Sequence, residues 1–177
     1  MGLNTICISV MGTNEQKNKN IYAPHLKEYP NLISTIKHLH SFGYSIRLTI
    51  TMAKDFVCSP KDIKELVEFA KIYKVEQLSI TPVRYPESSG NDEADKWAKK
   101  HGLSKEEINV IKEWIEKNGT PILTLMHGAV VYDLDGQNIC FKDCLTLEGN
   151  TDNIRQLIFF PDGSLRYDWQ YSGAILL

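Results

Sequence analysis

Four cysteines, at positions 7, 58, 140 and 144, are the residues of this sequence best suited to metal or redox chemistry. Only Cys140 and Cys144, in Cys140-Phe141-Lys142-Asp143-Cys144, have ligand-like spacing, and two thiolates do not complete a tetrahedral site. They read as buried or incidental thiols. Cys7 sits between Ile6 and Ile8 and reads as part of a core strand. Cys58 directly precedes a helix start, where the dipole can activate a thiol; a plain loop cysteine is the alternative. Among the five histidines, only His38 and His40 are close in sequence, and on a helix they point about 200° apart, too far to share a metal. His127 ends a strand beside Gly128 and is either a site residue or a loop residue. Glu106 and Glu107 open a helix, and capping accounts for them. Arg47 is the one charge in the apolar run 46–52, so something must satisfy it: a ligand carboxylate, or a surface acid if Arg47 lies at an exposed strand start. No Ser-His-acid set, phosphate loop or metal motif is legible.

The elements that must position these residues alternate along the chain. Residues 5–11, Thr-Ile-Cys-Ile-Ser-Val-Met, form an apolar run that reads as a strand buried on both faces and ended by Gly12. Residues 13–20 are polar and read as a loop. Leu32, Ile33, Ile36, Leu39 and His40 have the spacing of an amphipathic helix closed by Gly43. Residues 46–52 make a second strand. Ser59-Pro60-Lys61-Asp62 then opens a helix: Ser59 caps, Pro60 suits the first helical position, and Asp62 favours the positive end of the dipole. Ile63, Leu66, Val67 and Ala70 mark its buried face. Residues 77–83 are a third strand. Connections of this length imply a parallel sheet covered by helices. After a polar loop at 86–92 comes a charged helical stretch around Trp97. Ser104 to Glu107 is a capping box for a helix through Ile108, Ile111, Trp114 and Ile115, ended by Asn118-Gly119. Residues 121–126 look like a fourth strand. Asp135-Gly136 and Asp162-Gly163 each sit between apolar runs and predict antiparallel hairpins.

Composition narrows the class. The hydrophobic fraction of 42% and charged fraction of 24% are those of an ordinary globular domain, and 177 residues suffice for a substantial core. A formal charge of −2 gives no electrostatic reason to expect nucleic acid or an anionic membrane as partner. No apolar run approaches the roughly 20 residues that span a bilayer. No secretory signal is visible at Met1-Gly2-Leu3, so reduced thiols and a cytoplasmic location are expected.

The phrase Ile8-Ser9-Val10-Met11-Gly12-Thr13-Asn14-Glu15 resembles the fourth barrel strand and loop of radical SAM proteins, often written I-S-x-H-G-x-N-E. Arg47-Leu48-Thr49, with the helix Asp62 to Lys71, resembles their fifth strand and helix. Val75 to Val83 resembles their sixth strand. The resemblance covers about residues 5–85. It implies half of a partial parallel (β/α)6 barrel, with a boundary between a partial β/α barrel at 1–128 and a β-hairpin extension at 129–177 packed on the same domain. It also implies that Ser9, Arg47, Thr49, Thr81, Pro82 and Val83 lie near S-adenosylmethionine, since ligands of parallel α/β folds bind at the carboxyl ends of strands. Met11 stands where the family often has His, so no role is carried over to it.

In that family Cys-x3-Cys-x2-Cys holds a [4Fe–4S] cluster, and S-adenosylmethionine is cleaved to a 5′-deoxyadenosyl radical. This sequence contains no such motif, and the position three residues after Cys144 is Leu147. The chain therefore resembles the C-terminal half of a radical SAM enzyme. Cluster and S-adenosylmethionine are implied for the complete protein only, with no cluster or activity expected in this chain alone. Its expected partner is a missing N-terminal half, or a second copy through exposed sheet edges. The alternative is a non-catalytic binding module or a remnant of such an enzyme, using a hairpin surface around Tyr132, Phe159, Phe160, Tyr167, Trp169 and Tyr171.

Overall fold

A computed structural model of the chain describes residues 4–83, 92–125, 128–142, 157–160, 162–167 and 175–176. In chain order they form β1 (Thr5–Val10), α1 (Glu15–Tyr22), α2 (Leu32–Ser41), β2 (Ser45–Met52), α3 (Pro60–Tyr73) and β3 (Gln77–Pro82). Next come α4 (Asp92–His101), α5 (Lys105–Asn118), β4 (Thr120–Thr124), β5 (Val130–Leu134), β6 (Gln137–Phe141), β7 (Ile158–Phe159) and β8 (Leu165–Arg166). The chain divides into two compact units, Met1–Cys144 and Leu145–Leu177. No helix among the described residues is long and apolar enough to cross a membrane.

The first unit is α/β, built on a six-stranded sheet in the order β1-β2-β3-β6-β5-β4. β1, β2, β3 and β6 run parallel, and β5 and β4 continue the sheet antiparallel. The β-α-β-α-β order of the first half produces the parallel ladder predicted from its connection lengths. After β3 the chain passes through α4, α5, β4 and β5 before β6 lies beside β3, with Leu78 opposite Ile139 and Ile80 opposite Phe141. The hairpin joining β5 to β6 turns at Asp135 and Gly136, with φ of 54° and 80°, the left-handed pair that a two-residue hairpin turn requires. This hairpin belongs to the main sheet, and the unit runs on to Cys144.

Alternation along β2 sets the core. Ile46, Leu48, Ile50 and Met52 are fully buried against Ile36 of α2, Ile63 and Leu66 of α3, and Ile111 and Ile115 of α5. The helices start where local chemistry dictates. Ser59 accepts from the Asp62 amide at 3.3 Å, with Pro60 opening α3. Ser104 and Glu107 form a reciprocal capping box on α5, with bonds of 2.7 and 3.2 Å. Lys74, at φ 58°, closes α3 in the left-handed conformation.

Three expectations are corrected. β1 is not buried on both faces: Cys7 and Ser9, on the face away from the helices, are exposed, and the strand also lies at the sheet edge. An apolar run does not reveal how many neighbours its strand has. The polar segment 13–20 is not a loop but most of α1, capped by Asn14, whose side chain accepts from the Lys17 amide at 2.9 Å. Tyr132 is a core residue of β5 rather than part of an exposed aromatic surface.

The second unit contains the hairpin predicted at Asp162-Gly163. Ile158 pairs with Arg166 and Phe159 with Leu165, and Gly163 adopts φ 84°. Asp162 holds the turn by accepting from the Ser164 amide at 2.9 Å and from Arg166 at 3.0 Å. Trp169 and Tyr171 lie outside the described residues.

Candidate functional site

Helices α2, α3 and α5 all pack on one face of the sheet, so the alternate residues of each strand share the opposite face. That face is polar in its parallel half. Ser9, Thr49, Ser79 and Cys140 stand in one register row across β1, β2, β3 and β6. One pleat toward the amino ends, Cys7, Arg47 and Gln77 form a second row, and one pleat toward the carboxyl ends Thr51 pairs with Thr81. Toward the antiparallel strands of the same face Ala129, Val131 and Cys140 cluster with Leu125, and the polar pair Asp133 and Asn138 follows one pleat on.

The residues singled out in the sequence do not all come together. Ser9, Thr49 and Thr81 share the polar face on adjacent strands near their carboxyl ends. Pro82 ends β3 with its side chain buried on the helix side, and Val83 donates its amide to the Met52 carbonyl at 2.9 Å. Arg47 shares the polar face but lies four residues below Thr51, about 13 Å at the usual strand rise. Its Nε is shielded from solvent without a hydrogen-bond partner, while the residue as a whole is half-buried. The Ser79 hydroxyl, on a residue only 1% exposed, is a second buried atom without a partner. Ser79 and Thr51 went unremarked in the sequence, although polar residues at alternate positions 45, 47, 49 and 51, and again at 77, 79 and 81, are the signature of such a face.

The rim beyond the carboxyl ends is held by buried polar contacts. Asn18 of α1 is fully buried; its Oδ1 accepts from the Met11 amide at 2.7 Å, and its Nδ2 donates to the Gly12 carbonyl at 2.9 Å. The side-chain amide thus acts as a short strand partner and fixes the loop after β1. The Tyr22 hydroxyl hydrogen-bonds Thr51; burial first, and then neighbouring Tyr29, raise its pKa. The loop after β2 is clasped from α4. His101 stacks on Trp97 with centroids 4.6 Å apart, and its Nδ1 lies 3.4 Å from the Asp55 carboxylate. On the helix side of this rim, Gly12, Asn14, Lys17, Phe56, Asp62 and Glu65 border a small cavity of about 160 Å³.

Of the two readings of Cys58, an activated thiol and a plain loop cysteine, its surroundings favour the plain one. Burial raises the thiol pKa, and the charge and hydrogen bond of Asp62 raise it further. Burial of Asp62 by itself works against ionisation. Hydrogen bonds from the Cys58 amide at 3.0 Å and the Ser59 hydroxyl at 2.7 Å outweigh it and hold Asp62 below the ordinary carboxylate range. The carboxylate cancels at Cys58 the effect of the helix end.

Cys140 is buried in β6, whereas Cys144 and His127 lie outside the described residues. No group of three or more His, Cys, Asp or Glu is placed to hold a metal ion among the described residues. Two atoms of the polar face, the Arg47 Nε and the Ser79 hydroxyl, are buried without a hydrogen-bond partner. No known protein-family model matches the chain, and no curated protein matches it in sequence.

Proposed function

We propose that this chain is the C-terminal half of a radical SAM barrel and that the polar face of its parallel strands is the side that meets S-adenosylmethionine. The observation that carries the reading is the segregation of the sheet: helices on one face, and Ser9, Thr49, Thr51 and Thr81 together on the other, near the strands' carboxyl ends. A half-barrel needs this division, because its concave face must receive ligand while its convex face carries the helices. Ser9, Thr49 and Thr81 supply hydroxyls that match ribose and amino-acid groups, and the backbone at Pro82-Val83 supplies the end of β3.

In this reading cleavage of S-adenosylmethionine, the redox step, belongs to a cluster-bearing partner segment that pairs with the sheet. The sheet edges favour β1 as the place of pairing. β4, at the other edge, carries Pro121 and a register irregularity between Pro121 and Leu123, both of which discourage strand addition. β1 carries no proline and no charge. This chain's own contribution is to bind and orient the ligand and to keep water from the face around buried Ser79.

Isothermal titration of the chain with S-adenosylmethionine tests the reading. Saturable binding in the millimolar range, weakened by Thr81→Val, is expected. Heat no greater than dilution at all concentrations rejects the half-barrel and leaves the non-catalytic module.

A further inference from the structure

The loop after β2 is gripped from two other elements. Its Asp55 sits at φ 70°, where a side chain other than glycine is uncommon. Two backbone hydrogen bonds close the turn, from Ala53 to the Val57 carbonyl at 3.0 Å and from Phe56 to the Ala53 carbonyl at 3.1 Å. Helix α4 holds this turn from outside. The Lys54 amide donates to the His101 carbonyl at 2.8 Å. The His101 Nδ1 in turn faces two acceptors, the Lys54 carbonyl at 3.3 Å and the Asp55 carboxylate at 3.4 Å. With two acceptors before it, Nδ1 carries a hydrogen even in the neutral ring, so the second proton goes to Nε2. The ring is fixed by its stack on Trp97 and by Phe56, which meets it edge-on with centroids 6.1 Å apart. From the other side, Lys17 of α1 donates to the Asp55 carbonyl, and its Nζ lies 5.6 Å from the centre of the Phe56 ring. Phe56 and Val57 also line the small cavity, together with Gly12, Asn14 and Lys17.

We propose that His101 is a proton-operated strap on this loop: protonation tightens the loop over the cavity, and loss of the proton slackens it. The second proton makes the Nδ1–H contact to Asp55 a charge-assisted hydrogen bond and the stack on Trp97 a cation–π contact. It also places a positive charge at the carboxyl end of α4, where the helix dipole favours it. The cations that oppose protonation are Lys54 in the loop, Lys17 beyond Phe56, and Lys99 and Lys100 in the last turn of α4. Glu107 of α5 offsets Lys54 at 3.8 Å, and Lys99 and Lys100 are exposed, so solvent screens them. The direct contact with Asp55 therefore sets the sign. Histidine changes charge between about pH 5 and 8, so the strap responds in that range. The Asp55 side chain is 77% exposed, which limits the effect to a few-fold change in loop opening. His40, which pairs with Glu76, lies at the other end of β2 beside Ile46.

The test measures amide exchange at Lys54 and Phe56 between pH 5.5 and 8 (buffer conditions), expressed as protection factors so that the pH dependence of the exchange chemistry is removed. Protection about threefold higher at the acid end is expected, the size of one partly exposed ion pair. Its midpoint coincides with the titration of the His101 ring resonances, which are assigned by their loss in His101→Gln. Asp55→Asn keeps a side chain that tolerates the positive φ but carries no charge, and it removes the pH dependence. The amides of Leu48 and Ile50, in the middle of β2, keep constant protection across the range. Flat protection at Lys54 and Phe56 overturns the proposal, as does a pH dependence that survives in Asp55→Asn. A midpoint away from the His101 titration overturns it too, and so does a parallel change at Leu48 and Ile50, which makes the effect global rather than a slackening of the loop.

Discussion

At Ser79 a hydroxyl is buried with nothing to bond, an arrangement that costs about 1–3 kcal/mol in an unliganded protein. Ser79→Ala therefore raises the unfolding free energy by about 1 kcal/mol in urea melts; a loss instead shows that the hydroxyl is bonded. At Cys58 a feature visible in sequence is silenced by its neighbour. Its thiol titrates above the ordinary range, so alkylation by iodoacetamide becomes fast only at more alkaline pH than for an unshifted thiol. Asp62→Asn removes the opposing charge and moves that window toward neutrality, a change read by site-resolved mass spectrometry. Rapid alkylation of wild-type Cys58 at neutral pH contradicts the assignment. The helix start at Ser59 was legible because its signals are local, whereas the effect of Asp62 on Cys58 depended on where the carboxylate turned.

Among the elements, α1 shows how a helix escapes a reading based on apolar periodicity. Its one buried residue is Asn18, so no apolar stripe exists to find. What anchors it is the pair of hydrogen bonds from Asn18 to the backbone of Met11 and Gly12. Asn18→Leu leaves two backbone groups without partners and costs about 2 kcal/mol of stability. It also speeds amide exchange at Met11, which a generally destabilising change does not do selectively. Unchanged exchange at Met11 rejects this role for Asn18. By contrast α3 and α5 were legible nearly end to end, because the caps at Ser59 and Ser104 and the apolar spacing behind them agree. β1 was legible as a strand but not as an edge. Thr5-Ile6-Cys7-Ile8-Ser9-Val10 has the composition of a central parallel strand, and only the sheet order places it outermost.

The whole first unit follows a rule that the sequence carries in part. Parallel pairing of β1, β2 and β3 follows from the helical connections between them, and alternation within β2 and β3 assigns Arg47, Thr49 and Thr81 to one face. Which face receives the helices, and that β6 rather than β4 lies beside β3, are set by tertiary packing. Gln137 contributes to that choice: buried at the start of β6, it donates to the Val75 carbonyl at 3.1 Å. Lys71 of α3 adds an exposed contact of 2.6 Å to Asp135 in the adjoining turn. Neither contact is visible in local sequence. We propose that the polar face of this sheet, and not the cavity beside α3, is where the molecule meets its ligand. Amide shift mapping of the chain during titration with S-adenosylmethionine tests it most directly. Saturable shifts concentrated at Ser9, Thr49 and Thr81 to Val83 are expected. Shifts confined to Gly12, Asn14, Phe56 and Glu65 around the cavity, or none at all, contradict it.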